Sequence, residues 1–149
     1  MAERFDQYAR QSLRLAEKAA KRLQVHLVDT EHLLIGLVQD EGIAGQILRQ
    51  AGLDYWKTLH ATEKKPRKDE PDSGKVVGVS PGIKIVLELA VLEARLRDQS
   101  KIGTGHLLMG LIRYREGVAL EVLVSLGIKP RKMRKRLRQA LIEAIQSET

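Results

Sequence analysis

The chain contains itself twice, and that duplication limits the folds open to it more than any other feature. Asp29-Thr30-Glu31-His32-Leu33-Leu34-Ile35-Gly36-Leu37 returns 74 residues later as Gly103-Thr104-Gly105-His106-Leu107-Leu108-Met109-Gly110-Leu111, with six of the nine positions identical. Glu41-Gly42-Ile43-Ala44 returns as Glu116-Gly117-Val118-Ala119, and Ala51-Gly52-Leu53 as Leu126-Gly127-Ile128, both at an offset of 75, so one residue is inserted near Tyr114 or Arg115. Upstream, Ala9, Leu13, Ala16 and Ala20 correspond to Ile83, Leu87, Ala90 and Ala94. Their spacing is that of the inner stripe of a helix.

Start and stop signals recur in the same order in both copies and divide each into four helices. Asp6 and Ser80 read as N-caps of the first helices, and Pro81 stands where a missing N–H costs nothing. Thr30 and Thr104 read as caps of the second helices. Gly42 and Gly117 precede the third, and Gly52 and Gly127 are placed to end it with positive φ. The fourth helices begin after Asp54 and at Pro130. Gly36 and Gly110 fall inside helices, where glycine costs ~1 kcal/mol relative to alanine. Their matched placement points to close approach of a neighbouring helix.

The expected fold is therefore all-α: two tandem four-helix repeats, packed about a pseudo-two-fold axis because units of about 65 residues are marginal alone. Residues 1–149 read as a single domain, with repeat one at 5–64, a linker at 65–79 and repeat two at 80–146. The linker reading rests on a charged stretch, Lys64 to Lys75, that holds two prolines and no apolar period. Val76-Val77-Gly78-Val79 is too short to establish a strand and reads as loop.

Several classes of function are excluded or disfavoured. The 149 residues leave no room for an ATPase motor, and the chain has no cysteine for thiol chemistry or cysteine-ligated metal. Gly74-Lys75-Val76 lacks the hydroxyl and the upstream glycine of a phosphate loop. The four histidines, His26, His32, His60 and His106, stand in no metal-ligand spacing, so no metal and no cofactor is expected. His32 and His106 occupy equivalent places in a first helical turn, where an imidazole bonds neighbouring backbone. Asp40-Glu41 and Asp69-Glu70 are loop neighbours and cannot face one cleft as acid and base. An enzyme is not expected. The start at Met1 shows neither a signal-peptide apolar core nor a transit-peptide composition, and no apolar run approaches ~18 residues. The expectation is a soluble cytoplasmic protein with no membrane partner.

Charge is uneven between the copies. Residues 1–75 hold thirteen basic and twelve acidic side chains, whereas residues 76–149 hold thirteen and seven. Seven of the ten residues from Lys129 to Arg138 are basic. As a helix, this stretch turns Met133, Leu137, Ala140, Leu141, Ala144 and Ile145 inward and leaves Arg131, Lys132, Arg134, Lys135, Arg136 and Arg138 as a basic partner surface. It suits an acidic partner or nucleic-acid phosphates. Specific nucleic-acid readout ranks lower because no aromatic side chains are interleaved for stacking.

The repeat motif Thr30-Glu31-His32-Leu33-Leu34-Ile35-Gly36-Leu37, the Glu41-Gly42-Ile43-Ala44 turn and their second copies resemble the Clp N-terminal repeat domain of ClpA- and ClpC-type unfoldases. The ClpC branch, with its "GTEHLLLGL…EGVA…LG" cadence, is nearest in pattern. The resemblance runs from about Phe5 to Ile145. It implies a non-catalytic protein-binding module of Clp-type regulated proteolysis, whose partners are adaptors such as MecA or ClpS, substrates, and Clp unfoldase or protease components. The alternative is a nucleic-acid or acidic-partner binder acting through the basic last helix.

The ClpC resemblance also implies a phosphoarginine pocket in each repeat, built from a Glu near the start of the second helix and a hydroxyl at the N-terminus of the first. Carried over within each repeat, the first pocket would comprise Asp6, Thr30 and Glu31, and the second Ser80, Thr104, Gly105 and His106. Asp6 replaces the family's threonine, Gly105 its glutamate, and Gly82 stands where arginine is common. Neither pocket then has the full set, which speaks against phosphoarginine recognition.

Overall fold

The structure is a computed structural model that describes residues 4–65 and 76–147. Eight helices follow one another in two matching runs of four: α1 (Gln7–Arg22), α2 (Thr30–Val38), α3 (Ile43–Gln50) and α4 (Tyr55–Glu63), then α5 (Pro81–Leu96), α6 (Thr104–Arg113), α7 (Val118–Ser125) and α8 (Pro130–Ser147). The fold is all-α with the expected double four-helix arrangement. Most of the linker expected at 65–79 lies outside the described residues.

Helices α2 and α6 are apolar nearly all round and form the centre, with Leu33, Leu34, Leu37, Leu107, Leu108 and Leu111 almost completely buried. Each packs antiparallel to the long helix before it. An ideal Cβ on Gly36 would lie 2.3 Å from the Ser12 carbonyl oxygen, and one on Gly110 would lie 2.6 Å from that of Val86. No larger residue fits there without separating the helices. The small residues facing them, Ala16 and Ala20 on α1 and Ala90 and Ala94 on α5, complete this close approach.

The ends of α3 and α7 follow the sequence signals: Gly52 and Gly127 have φ of 96° and 84°. The ends of α1 and α5 use a signal the sequence reading passed over. Gln24 and Asp98, at equivalent places, take φ of 57° and 53°, and the next amides, of Val25 and Gln99, reach back to the carbonyls of Ala20 and Ala94.

Two local expectations are corrected. Gly78–Val79 is not loop: it forms a short strand, β2, paired in parallel with β1 (Leu27–Val28). The same pairing recurs as a single bridge between Phe5 and Ile102. Adding 74 to Phe5 gives Val79 and subtracting it from Ile102 gives Val28, so the two pairings are images of each other under exchange of the repeats. Each joins the segment before one repeat's long helix to the segment before the other's central helix, a partner that no local pattern reveals.

The second correction concerns Thr30 and Thr104. The N-caps of α2 and α6 are Asp29 and Gly103, and the threonines are the first helical residues, both buried. Their hydroxyls serve the opposite repeat. Thr30 Oγ1 accepts the Ala119 N–H at 3.1 Å, and Thr104 Oγ1 accepts the Ala44 N–H at 3.3 Å. Those amides belong to the first turns of α7 and α3, whose N-caps, Gly117 and Gly42, have no side chain to satisfy them. A Cβ on either glycine would stand 3.0 Å from the threonine oxygen, so glycine and threonine are matched across the interface.

Thr30→Val and Thr104→Val keep the volume and remove the acceptor. Each is expected to cost about 1–2 kcal/mol, read as a lower urea midpoint with unchanged slope. Stability within a few tenths of the parent would show that these contacts contribute nothing.

Candidate functional site

The antiparallel packing of α1 on α2 decides which residues meet. Sixteen residues of α1 span about 24 Å, so Asp6 at its start lies a helix length away from Thr30 and Glu31 at the start of α2. The pockets expected within each repeat therefore do not form. Instead, each long helix brings its N-terminus to the central helix of the other repeat, giving two junctions, one at α5 and α2 and the other at α1 and α6.

At the α5–α2 junction, Ser80 caps α5: its Oγ accepts the Ile83 N–H at 3.1 Å and donates to Asp29 Oδ1 at 2.7 Å. The same carboxylate oxygen accepts the Thr30 N–H at 2.7 Å, and the Asp29 N–H donates to His32 Nδ1 at 2.8 Å. Glu31 follows on the first turn of α2, half-buried. The space beside Gly82 is occupied, since a Cβ there would lie 3.2 Å from the Tyr114 ring and 3.3 Å from Asp29 Oδ1. Ser80 and Glu31, expected in separate pockets, thus share one junction. Asp29, which the sequence reading left out, lies between them. Its sequence signal is an Asp preceding Thr-Glu-His, with an acceptor at the third helical position, and the adjacent threonine masks it.

At the α1–α6 junction, Asp6 caps α1, with Oδ1 accepting the Ala9 N–H at 2.8 Å and the other oxygen beside Gly103. His106 Nδ1 accepts the Gly103 N–H at 2.9 Å, and its Nε2 donates to Gln99 Oε1 at 2.7 Å. That pattern requires the neutral ring with its proton on Nε2. Gly105 is covered: a Cβ would stand 2.7 Å from Leu141 of α8 and 3.3 Å from Ile43 of α3. A glutamate would have to displace a buried leucine. Thr104 faces α3, as described above.

Burial, and then the Arg97 charge, lower the His106 pKa to about 4, against weaker opposing pulls from Glu93 and Asp6. Glu93 is buried between Arg97 and Arg113 and paired to both. Burial pushes its pKa up, but hydrogen bonds and charge from the two arginines outweigh it and hold it below the usual value.

The remaining site residues, Arg131, Lys132, Arg134, Lys135, Arg136 and Arg138, are all exposed on α8, whose Met133, Leu137 and Leu141 are buried. Arg136 reaches Gln50 Oε1 of α3 at 2.8 Å. Among the described residues no cluster of three or more His, Cys, Asp or Glu could hold a metal, and no helix is long and apolar enough to cross a membrane.

Comparison with known proteins identifies the class to which this fold belongs. The model of the Clp repeat (R) N-terminal domain matches residues 4–126 and 84–148, and the chain belongs to that family. It is 39% identical over 142 residues to the negative regulator of genetic competence ClpC/MecB of Bacillus subtilis, covering 95% of this chain and 17% of that protein. It is 38% identical over 135 residues to the chloroplastic chaperone protein ClpC1 of Oryza sativa, covering 90% of this chain and 15% of that one. The chain thus spans about a sixth of these relatives. The crystal structure of the N-terminal domain of the chaperone ClpD from Arabidopsis thaliana superposes with a TM-score of 0.79 at 28% identity, covering 93% of this chain and 95% of that one. The N-terminal domain of Hsp104 from Candida albicans shares the fold, with a TM-score of 0.71 at 14% identity over 89% of this chain and 88% of that one.

In the unfolded chain His106 protonates near pH 6.5, and in the folded chain only near pH 4. Between those values the unfolded state binds the extra proton, so the stability gained from the neutral ring is full above pH 6.5 and is lost as pH falls toward 4. Glu93, held low, acts in the same direction as pH falls through the carboxylate range. His106→Gln, which keeps an acceptor for the Gly103 N–H, is expected to flatten the dependence between pH 6.5 and 4 by up to roughly 3 kcal/mol in urea titrations. An unchanged slope would remove His106 from the account.

Proposed function

We propose that the chain is a docking module of Clp-type regulated proteolysis. It receives adaptors or substrates, or attaches to Clp unfoldase or protease components, and has no catalysis of its own. N-domains of this family are non-catalytic modules that bind substrates and adaptors. The observation that carries the reading is the scaffold itself. Two long helices present their N-termini beside the central helices of opposite repeats, on a core whose pairings and caps are exchanged, so groups placed at the junctions are held on rigid elements. The purified chain, mixed at low salt with the Clp unfoldase and proteolytic core of its own cell, is expected to co-sediment with them. Absence of any association would sink the reading.

Phosphoarginine is not taken as the ligand. The family cadence has glycine where this chain has Asp29, and the Asp29 carboxylate accepts the Ser80 hydroxyl and the Thr30 N–H, groups a phosphate would need. At the other junction the carboxylate is that of Asp6, at the place of Ser80, and Leu141 lies over Gly105. Each junction thus holds one carboxylate at a helix N-terminus, which competes with a phosphate and repels it. Calorimetry with free phosphoarginine is expected to give no binding to the parent chain and measurable binding to Asp29→Gly, which leaves Ser80 and Glu31 in place. Binding by the parent that disappears in Glu31→Ala would overturn this.

The six exposed cations of α8 favour a second surface, for an acidic partner rather than for nucleic acid, because no aromatic platform accompanies them.

A further inference from the structure

Between the end of α6, the start of α7 and the start of α8 lies a groove of about 500 Å³. Its apolar part comes from Ile112, Leu120 and Pro130, and its rim from four arginines, Arg113, Arg115, Arg131 and Arg134. None of its lining residues is acidic. Arg131 and Arg134, three apart on one helix, stand on one wall. Arg113 and Arg115, from the α6–α7 turn, stand on the other. Arg113 is fixed in place by buried Glu93, which it shares with Arg97.

Arg113 also serves the core by pairing with buried Glu93, whereas Arg115, Arg131 and Arg134 are exposed. At the places of Arg113, Arg131 and Arg134 the first copy has Gln39, Trp56 and Leu59 on the corresponding helices, and Arg115 lies at the one-residue insertion that distinguishes the second copy. The groove is thus a feature of one repeat. It also accounts for part of the charge excess of residues 76–149.

We propose that this groove docks an acidic segment of a protein partner, with an aliphatic side chain seated on Ile112, Leu120 and Pro130 and carboxylates on both sides of it held by the arginines. The proposal rests on the docking-module reading and names the chemistry of one partner. Guanidinium groups present paired N–H donors that match a carboxylate bidentately, and arginine tolerates partial burial better than lysine. The aliphatic floor favours a peptide over nucleic acid. The adjacent aromatic, Tyr114, does not line the groove; it is half-buried and packed toward Gly82 and Gly117, where it cannot stack a base.

The test is fluorescence anisotropy on the full chain with three labelled probes: a peptide in which glutamates flank a central leucine, the same peptide with serine for leucine, and a mixed-sequence single-stranded DNA of equal charge. The leucine peptide is expected to bind at low salt, more tightly than the other two and progressively less as salt rises. Arg115→Glu with Arg134→Glu is expected to lower its affinity about tenfold or more. Arg10→Glu with Arg14→Glu, the same charge change on exposed α1 side chains that do not line the groove, is expected to lower it by less than about threefold. Both double variants are exposed-surface changes, and helical circular dichroism verifies that each folds. Equal losses in the two variants, no binding of the leucine peptide, or tighter binding of the DNA would each overturn the proposal. Co-sedimentation with Clp components on the same proteins separates the two readings. Clp association without peptide binding defeats the groove alone, and peptide binding without Clp association supports the groove while defeating the docking role.

Discussion

Two buried helix starts that cannot cap themselves tie this molecule together. Helices α3 and α7 begin on Gly42 and Gly117, which have no side chain to take up the first-turn amides, and they begin inside the protein where water does not supply an acceptor. Each is satisfied by a threonine hydroxyl from the central helix of the other repeat. A repeat without its partner would expose an apolar face to water and lose the hydroxyl that caps its third helix. The parallel pairings of β1 with β2 and of Phe5 with Ile102 impose the same exchange on the segments before the long helices. The two copies are therefore halves of one folding unit rather than two units in contact.

That exchange also decides where binding chemistry can be placed. Within a repeat, the antiparallel packing of the first two helices sends their N-termini to opposite ends. The other copy supplies the central-helix start that lies alongside each long-helix start. Ser80 meets Asp29 and Asp6 meets Gly103 for this reason, and a change on one copy's central helix alters the surroundings of the other copy's long helix.

Much of this was legible in the sequence, and the remainder failed for one physical reason. The duplication, the helices, the Asp54, Asp6 and Ser80 caps, the terminal glycines Gly52 and Gly127 and the close approach at Gly36 and Gly110 are local or periodic signals, and all appear in the structure. Thr30 and Thr104 gave a local signal for a non-local role. A threonine before an apolar run reads as the cap of its own helix, and nothing along the chain says that its hydroxyl faces another. Val76–Val79 misled in the same way, since two residues become a strand only through a partner fifty residues away. Residues grouped by repeat are separated because the first two helices of each repeat pack antiparallel, and each long-helix start meets the other repeat instead. The sequence did indicate the basic face of α8. The groove at its start was not legible, because Arg113 and Arg115 lie outside the basic run and join it only through packing.

The symmetry of the scaffold and the asymmetry of its surface have different causes. Positions that serve the exchange keep their residue types in both copies: threonine at 30 and 104, glycine at 42 and 117, histidine bonded back to its own helix start at 32 and 106. Positions outside it have diverged. One junction keeps a serine and a glutamate around an inserted carboxylate, and the other is roofed by Leu141 over Gly105. The first copy has Gln39, exposed Trp56 and buried Leu59 at the places where the second has arginines. A glutamate at Gly105 would meet the Leu141 side chain of α8, the helix that bears the basic face. The same helix thus covers the second junction with Leu141 and, at its start, lines a cationic groove with an apolar floor.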